Sequence, residues 1–147
     1  MQLSPHFSLE SMIASQTAAR LGLCNTPTNF VLGNLTDTCN RMEGVRAMLG
    51  NRPILVSSGY RAPAVNAAIG GATTSAHVTG HAIDFTCPDF GTPLEVATFL
   101  SQQAFEFDQL IYEYGAWVHL SFDPRARRQC LTILSAQAGY KPGIAVG

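Results

Sequence analysis

The chain has 147 residues and a formal net charge of -1, with 46% hydrophobic but only 13% charged residues. This composition excludes a disordered chain and fits one compact domain that spans residues 1–147. The nine cationic side chains are balanced by ten anionic ones, so no basic field favours nucleic acid or an anionic membrane as a partner.

The N-terminal stretch MQLSPHFSLESM has neither the basic flank nor the apolar core of a signal peptide. No apolar run approaches the roughly 20 residues that span a bilayer, so a cytoplasmic monomer without a membrane segment is expected. His6 is expected to be exposed. Ser8 is placed to cap a helix over residues 9–21 that ends at Gly22, and apolar spacing predicts a longer helix from Phe30 to Leu49.

From Pro53 onward the hydrophobic period changes from that of a helix to that of a strand. Strands are predicted at 54–60, 81–86, 109–114, 117–122 and 130–135, with a helix from Pro93 to Gln103. Helices early in the chain and strands later predict an α+β fold, in which N-terminal helices pack on a mainly antiparallel sheet. The four cysteines include no Cys-x-x-Cys pair, which argues against a zinc ribbon and favours free, mostly buried thiols.

Alternation along the strand WVHLSF separates a core face from a polar face. Val118, Leu120 and Phe122 belong to the core, which leaves Trp117, His119 and Ser121 directed at a partly polar cleft. In the strand HAIDF the same rule directs Asp84 and His81 to opposite faces.

The loop Tyr114-Gly115-Ala116 joins two strands and predicts an antiparallel hairpin. Glu113 then lies opposite Trp117, and Glu113 and His119 become diagonal neighbours on one face, with backbones roughly 7–8 Å apart. One water molecule between two long polar side chains bridges that span. This is the geometry that a general base beside an activated water requires.

His77 and His81 have the i, i+4 spacing of a helical zinc motif, but Gly80 breaks the helix and a strand follows. A better pair is His77, on the loop that enters the strand, with Asp84 on the strand's inward face. Imidazole and carboxylate both bind zinc, and a third protein ligand would leave the fourth position open, as a catalytic site needs.

The pattern Ser75-x-His77-x-x-Gly80-x-Ala82-x-Asp84, followed by Trp117-Val118-His119, resembles the zinc D-Ala-D-Ala carboxypeptidase family. This family is related to lysostaphin-type peptidases and to the hedgehog signalling domain. The upstream SSGYRAP segment and the N-terminal HFSLESMIASQTAARLG resemble it too, so the likeness covers roughly residues 4–122. It implies a zinc cleft on the sheet, with Zn²⁺ bound by His77, Asp84 and His119.

The resemblance also implies that Arg61 holds a substrate carboxylate or the developing oxyanion and that Glu113 is the catalytic base. Several members place that glutamate three residues before the last histidine, where this chain has Ala116; Glu113 stands six before it, as in hedgehog domains. Ser75, Tyr60 and Trp117 are further candidates for substrate binding, whereas no role is assigned to His81.

Three functions remain open from the sequence. The first is a zinc metallopeptidase that cleaves peptidoglycan stem peptides, of the D-Ala-D-Ala carboxypeptidase or L-Ala-D-Glu endopeptidase type, acting as a phage or prophage endolysin. The second is a non-catalytic, hedgehog-like zinc module of a virion or wall-binding protein. A cytoplasmic D-Ala-D-Ala dipeptidase is a third, weaker alternative.

Overall fold

Five helices and two sheets make up the part of the chain that the computed structural model describes, residues 1–145. The predicted α+β class is confirmed. The helices are α1 Leu9–Ile13, α2 Gln16–Leu21, α3 Asn29–Met48, α4 Pro63–Ala68 and α5 Pro93–Ser101. The strands are β1 Gln2–Ser4, β2 Phe7–Ser8, β3 Leu55–Ser58, β4 Ala82–Thr86, β5 Gln109–Glu113, β6 Trp117–Ser121, β7 Gln129–Ile133 and β8 Lys141–Pro142.

The main sheet has six strands in the order β3-β4-β6-β5-β7-β8, while β1 and β2 form a separate small hairpin. Its neighbouring strands run antiparallel, with the exception of β5 and β7, which are parallel. The predicted β5–β6 hairpin is present, and Glu113 pairs with Trp117 in it. Its turn requires positive φ at Tyr114 (56°) and Gly115 (68°).

The single helix predicted over residues 9–21 is wrong, because the chain leaves the helical conformation at Ala14 (ψ 131°). Ser15 then begins α2, since its hydroxyl accepts the backbone N–H of Ala18 at 3.1 Å. The break also leaves the carbonyl of Met12 free to accept the backbone N–H of Tyr60 at 2.7 Å. Helix α1 is thereby tied to the chain that leaves β3.

The long helix predicted from Phe30 to Leu49 is confirmed as α3, which begins after its cap Thr28. Its apolar side packs in the core, and its polar groups hold the loop that precedes β4. Thr38 donates to the carbonyl of Gly80 at 2.7 Å and Asn34 to that of Thr79 at 2.9 Å. Gly80 has φ +81° and lies so close to α3 that a Cβ would meet the Val31 carbonyl at 3.0 Å. Helix α3 therefore positions the loop that carries His77.

Several short elements were not predicted: β1, β2, α4 and β8. Helix α4 begins at Pro63 and, with six residues, is too short to show an apolar stripe at helical spacing. The strand predicted over 54–60 is shorter than expected, because only Leu55–Ser58 pair with β4. None of the helices in residues 1–145 has both the length and the apolar character needed to cross a membrane.

The four cysteines are free, as predicted, although only Cys39 and Cys87 are fully buried. Cys130 is half-buried and Cys24 is exposed. Burial raises the pKa of the Cys39 thiol to about 12, so this group stays protonated.

The loop after β6 returns the chain to run parallel to β5, and Asp108 holds it in place. Asp108 is 1% exposed and accepts hydrogen bonds from the backbone N–H of Arg127 at 3.0 Å, from its Nε at 2.8 Å and from Nη2 at 2.9 Å. Side-chain hydrogen bonds from Arg127 hold the pKa of Asp108 below its usual 3.8, against the opposing effect of burial.

We expect Asp108→Asn to lower the free energy of unfolding by about 2–4 kcal/mol, because charge-assisted bonds inside the loop are lost. A carboxyl with a depressed pKa stabilises the fold above its unfolded pKa, and that contribution is lost as pH falls through the folded pKa. Urea unfolding at pH 7 and at pH 3 measures this, and the difference between wild type and variant should shrink at pH 3. An equal difference at both values would contradict the assignment.

Candidate metal centre

Three side chains from separate elements converge on one point at the middle of the sheet. Asp84 Oδ1 lies 3.1 Å from His77 Nε2 and 2.9 Å from His119 Nδ1. One donor atom from each residue lies within 4.8 Å of the others. Asp84 and His119 are direct partners in the β4–β6 register, and His77 reaches them from the loop before β4. All three side chains are buried.

The donor set fits a cation. His77 Nδ1 lies 2.6 Å from the carbonyl oxygen of Gly59, which can only accept, so Nδ1 carries the proton. Burial lowers the pKa of His77, despite the opposing charge of Asp84, and this favours the neutral ring. The lone pair of Nε2 then faces the Asp84 carboxylate, and two acceptors at 3.1 Å are stabilised by a cation between them. Two imidazole nitrogens and one carboxylate oxygen are ligands that zinc takes in catalytic sites.

The pKa values of Asp84 and His119 are shifted in the directions expected for a carboxylate beside imidazole rings. Burial alone would raise the pKa of Asp84, but the two histidines outweigh it and hold the pKa well below its usual range. Burial alone would lower the pKa of His119, but its hydrogen bond to Asp84 reverses the direction. Asp84 is therefore a carboxylate at neutral pH and can serve as a ligand.

A second carboxylate stands beside the cluster. Glu113 Oε1 lies 3.5 Å from His119 Nδ1, and the side chain of Glu113 is 13% exposed. The predicted diagonal register is confirmed, because Ile111 pairs with His119 while Glu113 pairs with Trp117. Burial raises the pKa of Glu113, and the His119 charge offsets only part of that effect.

Arg61 forms the other side of the site. Its backbone N–H donates to the carbonyl of His77 at 3.1 Å, and its Nη2 donates to the Ser75 hydroxyl at 3.3 Å. The same hydroxyl accepts the backbone N–H of His77 at 3.3 Å, so Ser75 supports both residues. Burial lowers the pKa of Arg61, while Asp84 and Glu113 act in the opposite direction.

Arg61 Nε and Trp117 Nε1 are buried donors without a hydrogen-bond partner among residues 1–145. Both side chains line the cleft that contains the metal-binding cluster. A buried donor without a partner lowers the stability of the fold. Such donors are often found where a ligand supplies the missing acceptor.

The cleft has a volume of about 1130 Å³ and brings together every site residue named from the sequence: Tyr60, Arg61, Ser75, His77, Asp84, Glu113, Trp117 and His119. Tyr60 is buried, and its carbonyl accepts the Asn25 side chain at 3.1 Å, so its backbone also has a structural role.

Ser121 and His81 are polar residues close in sequence to the site residues, but neither lines the cleft. Ser121 was expected to face the cleft with His119, but it is fully buried and its hydroxyl accepts the backbone N–H of Gln109 at 3.1 Å. His81 lies outside the cleft and its Nδ1 bonds with the Thr79 hydroxyl at 2.8 Å, in keeping with the absence of an assigned role. The exposed ring of His6 pairs with Glu43.

Arg125, Arg127 and Tyr140 line the same cleft but were not singled out from the sequence. They lie in the irregular segments around β7, where no hydrophobic period indicates which way a side chain points. No sequence signal could have identified Tyr140, because its position depends on the pairing of β8 with β7.

A buried His–Asp–His cluster with a carboxylate and an arginine beside it is a candidate metal centre of the kind that hydrolases use. Residues 5–121 match the family described as Peptidase M15, and the chain belongs to this family. It is 32% identical over 75 residues to the zinc D-Ala-D-Ala carboxypeptidase of Streptomyces albus G. That alignment covers 46% of this chain and 29% of the relative. The predicted family and the predicted Zn²⁺ cofactor are thereby confirmed.

Proposed function

We propose that the protein hydrolyses a peptide bond in the stem peptides of peptidoglycan, as a D-Ala-D-Ala carboxypeptidase or an L-Ala-D-Glu endopeptidase. One observation carries the catalytic part: the Glu113 carboxylate lies 3.5 Å from His119, inside the cleft that holds the His77–Asp84–His119 cluster. The substrate class is supported by the name of the Streptomyces relative. An endolysin of a phage or prophage, held in the cytoplasm until it reaches the wall, is the setting that we propose for this activity.

His77 Nε2, Asp84 Oδ1 and His119 Nδ1 are the atoms that would hold zinc. When bound there, zinc supplies a Lewis acid that polarises a carbonyl oxygen and makes water a nucleophile near neutral pH. Gly59 keeps the His77 ring in the tautomer that offers Nε2, since its carbonyl accepts the proton on Nδ1.

Glu113 is the general base in this proposal. Its carboxylate accepts a proton from the attacking water, whose oxygen forms a bond to the carbonyl carbon of the peptide. The C–N bond then breaks, and Glu113 passes the proton to the leaving nitrogen, which gives a carboxyl group and an amine. The raised pKa of Glu113 brings its proton affinity closer to that needed near neutral pH.

Arg61 is the substrate anchor. Its guanidinium is suited to the free carboxylate of a terminal D-Ala or to the carboxylate of a D-Glu branch. Ser75 orients the guanidinium through the 3.3 Å hydrogen bond to Nη2, while Trp117 and Tyr60 line the walls against which the peptide packs.

The spacing of Glu113 favours a second candidate, the non-catalytic hedgehog-like zinc module. A glutamate six residues before the last histidine resembles the hedgehog arrangement, and both candidates bind zinc. Metal content therefore does not separate them, whereas product release does.

The experiment is a substrate panel of purified sacculi, a stem pentapeptide and free D-Ala-D-Ala, assayed with the zinc-loaded protein. We expect free D-Ala or new amino termini from sacculi or pentapeptide, loss of the activity on chelation and its recovery with zinc. Cleavage of the free dipeptide alone would identify a dipeptidase instead. No product from any of the three substrates would refute the peptidase and leave the binding module.

A further inference from the structure

The C-terminal hairpin β7–β8 forms one wall of the cleft. Leu131 pairs with Pro142 and Thr132 with Lys141. The hairpin is also held by the backbone N–H of Gly143, which donates to the carbonyl of Cys130 at 2.9 Å. Tyr140 immediately precedes β8, beyond the residues 5–121 that match the family. Nothing in that match assigns it a role.

The pairing fixes the direction of the Tyr140 side chain. Cross-strand partners point to the same face of a sheet, and Leu131 lines the cleft, so its partner Pro142 belongs to the cleft face. Because side chains alternate along a strand, Tyr140 points to the same face as Pro142, and Lys141 points away. Tyr140 does line the cleft, together with Glu113 and His119.

Tyr140 lies across β7 from Glu113, because Glu113 pairs with Ile133 and the adjacent Thr132 pairs with Lys141. In the sheet order β5-β7-β8, the backbone near Tyr140 is two strands away from Glu113, or roughly 10 Å at about 4.8 Å per strand. An extended tyrosine side chain covers more than half of that distance. Partial burial, followed by the negative charge of Glu113, raises the pKa of Tyr140, and Asp84 contributes as well. The phenol therefore remains protonated, and so a donor, throughout the neutral range.

The Tyr140 side chain is also open to solvent. Tyr140 is 59% exposed, so its side chain is accessible to a ligand. Arg61 stands on the β3 side of the cluster and Tyr140 on the β8 side, so a peptide that crosses the metal-binding cluster lies between them.

We propose that Tyr140 is a further catalytic residue, whose hydroxyl donates a hydrogen bond to the carbonyl oxygen of the scissile peptide as negative charge develops there. The assignment rests on the peptidase function proposed above. A donor that acts on this charge strengthens its bond in the transition state and so increases kcat more than it lowers KM.

The test compares Tyr140→Phe with wild type on the best substrate of the panel. We expect kcat to fall by about 10²-fold, with KM changed less than about threefold. Binding of a phosphinate peptide, whose tetrahedral oxygens imitate the transition state, should weaken by a similar factor in calorimetry. Zinc content and melting temperature should equal those of wild type, because phenylalanine keeps the ring.

Lys141→Gln is the matched control, since it changes the adjacent residue of the same hairpin on the face turned away from the cleft, and it should leave both constants unchanged. Wild-type kcat in Tyr140→Phe, or a loss expressed only in KM, would overturn the role of Tyr140 while the peptidase function stands. A wild-type protein without turnover on any substrate would overturn both.

Discussion

Glu113→Gln is expected to retain zinc and to lose turnover, with kcat lower by about 10²–10⁴-fold. Glutamine has the size of glutamate and can occupy the same position 3.5 Å from His119, but it cannot accept the proton of the attacking water. The His77–Asp84–His119 cluster does not include Glu113, so metal content should not change. Release of product from sacculi measures the activity, and elemental analysis measures the zinc.

Glu106→Gln is the matched control, because Glu106 is a carboxylate that precedes β5, whereas Glu113 ends it, and Glu106 is 70% exposed and outside the cleft. It should have the wild-type rate. Clearance of a sacculus suspension by Glu113→Gln at the wild-type rate would remove Glu113 from the mechanism. Loss of zinc in this variant would indicate instead that Glu113 acts on the metal.

The sequence was informative where periodicity is long or where a cap is unambiguous. Helix α3 was predicted to within one residue at each end, because six buried side chains recur along its 20 residues. The break at Ala14 was not predicted; it coincides with a tertiary contact, because the Met12 carbonyl that it leaves free accepts the backbone N–H of Tyr60. The parallel β5–β7 pair depends on a loop that Asp108 holds through Arg127, a contact without a local signature.

The placement of Glu113 beside His119 could be predicted because it follows from strand alternation and hairpin register, whereas the set of His77, Asp84 and His119 came from the family resemblance. A turn at Gly115 was enough to place Glu113 beside His119, and the structure has the same pairing. The features of the site that were not predicted are a backbone contact and a residue of the last hairpin. The carbonyl of Gly59 orients His77, but a backbone acceptor leaves no residue type in the sequence that would reveal it. Tyr140 reaches the cleft only because β8 pairs with β7.

His119→Ala is expected to have the largest effect on the metal. His119 is the direct strand partner of Asp84, and its Nδ1 lies 2.9 Å from Asp84 Oδ1, so its removal leaves two ligands of three. Replacing residues that merely orient ligands already weakens metal affinity by about 10–100-fold, and loss of a ligand should exceed that. Competition with a chromogenic chelator measures the affinity, and elemental analysis after dialysis measures the zinc retained.

His81→Ala is the histidine control. His81 directly precedes β4, the strand of Asp84, but it lies outside the cleft and its ring is hydrogen-bonded to Thr79. It should bind zinc like wild type. The comparison separates the loss of a metal ligand from a loss of stability. His119→Ala also removes the hydrogen bond between His119 and buried Asp84, which lowers the free energy of unfolding. Zinc added before thermal unfolding should raise the melting temperature of wild type and His81→Ala but not of His119→Ala. Undiminished zinc content in a folded His119→Ala protein would refute the role of His119 as a ligand.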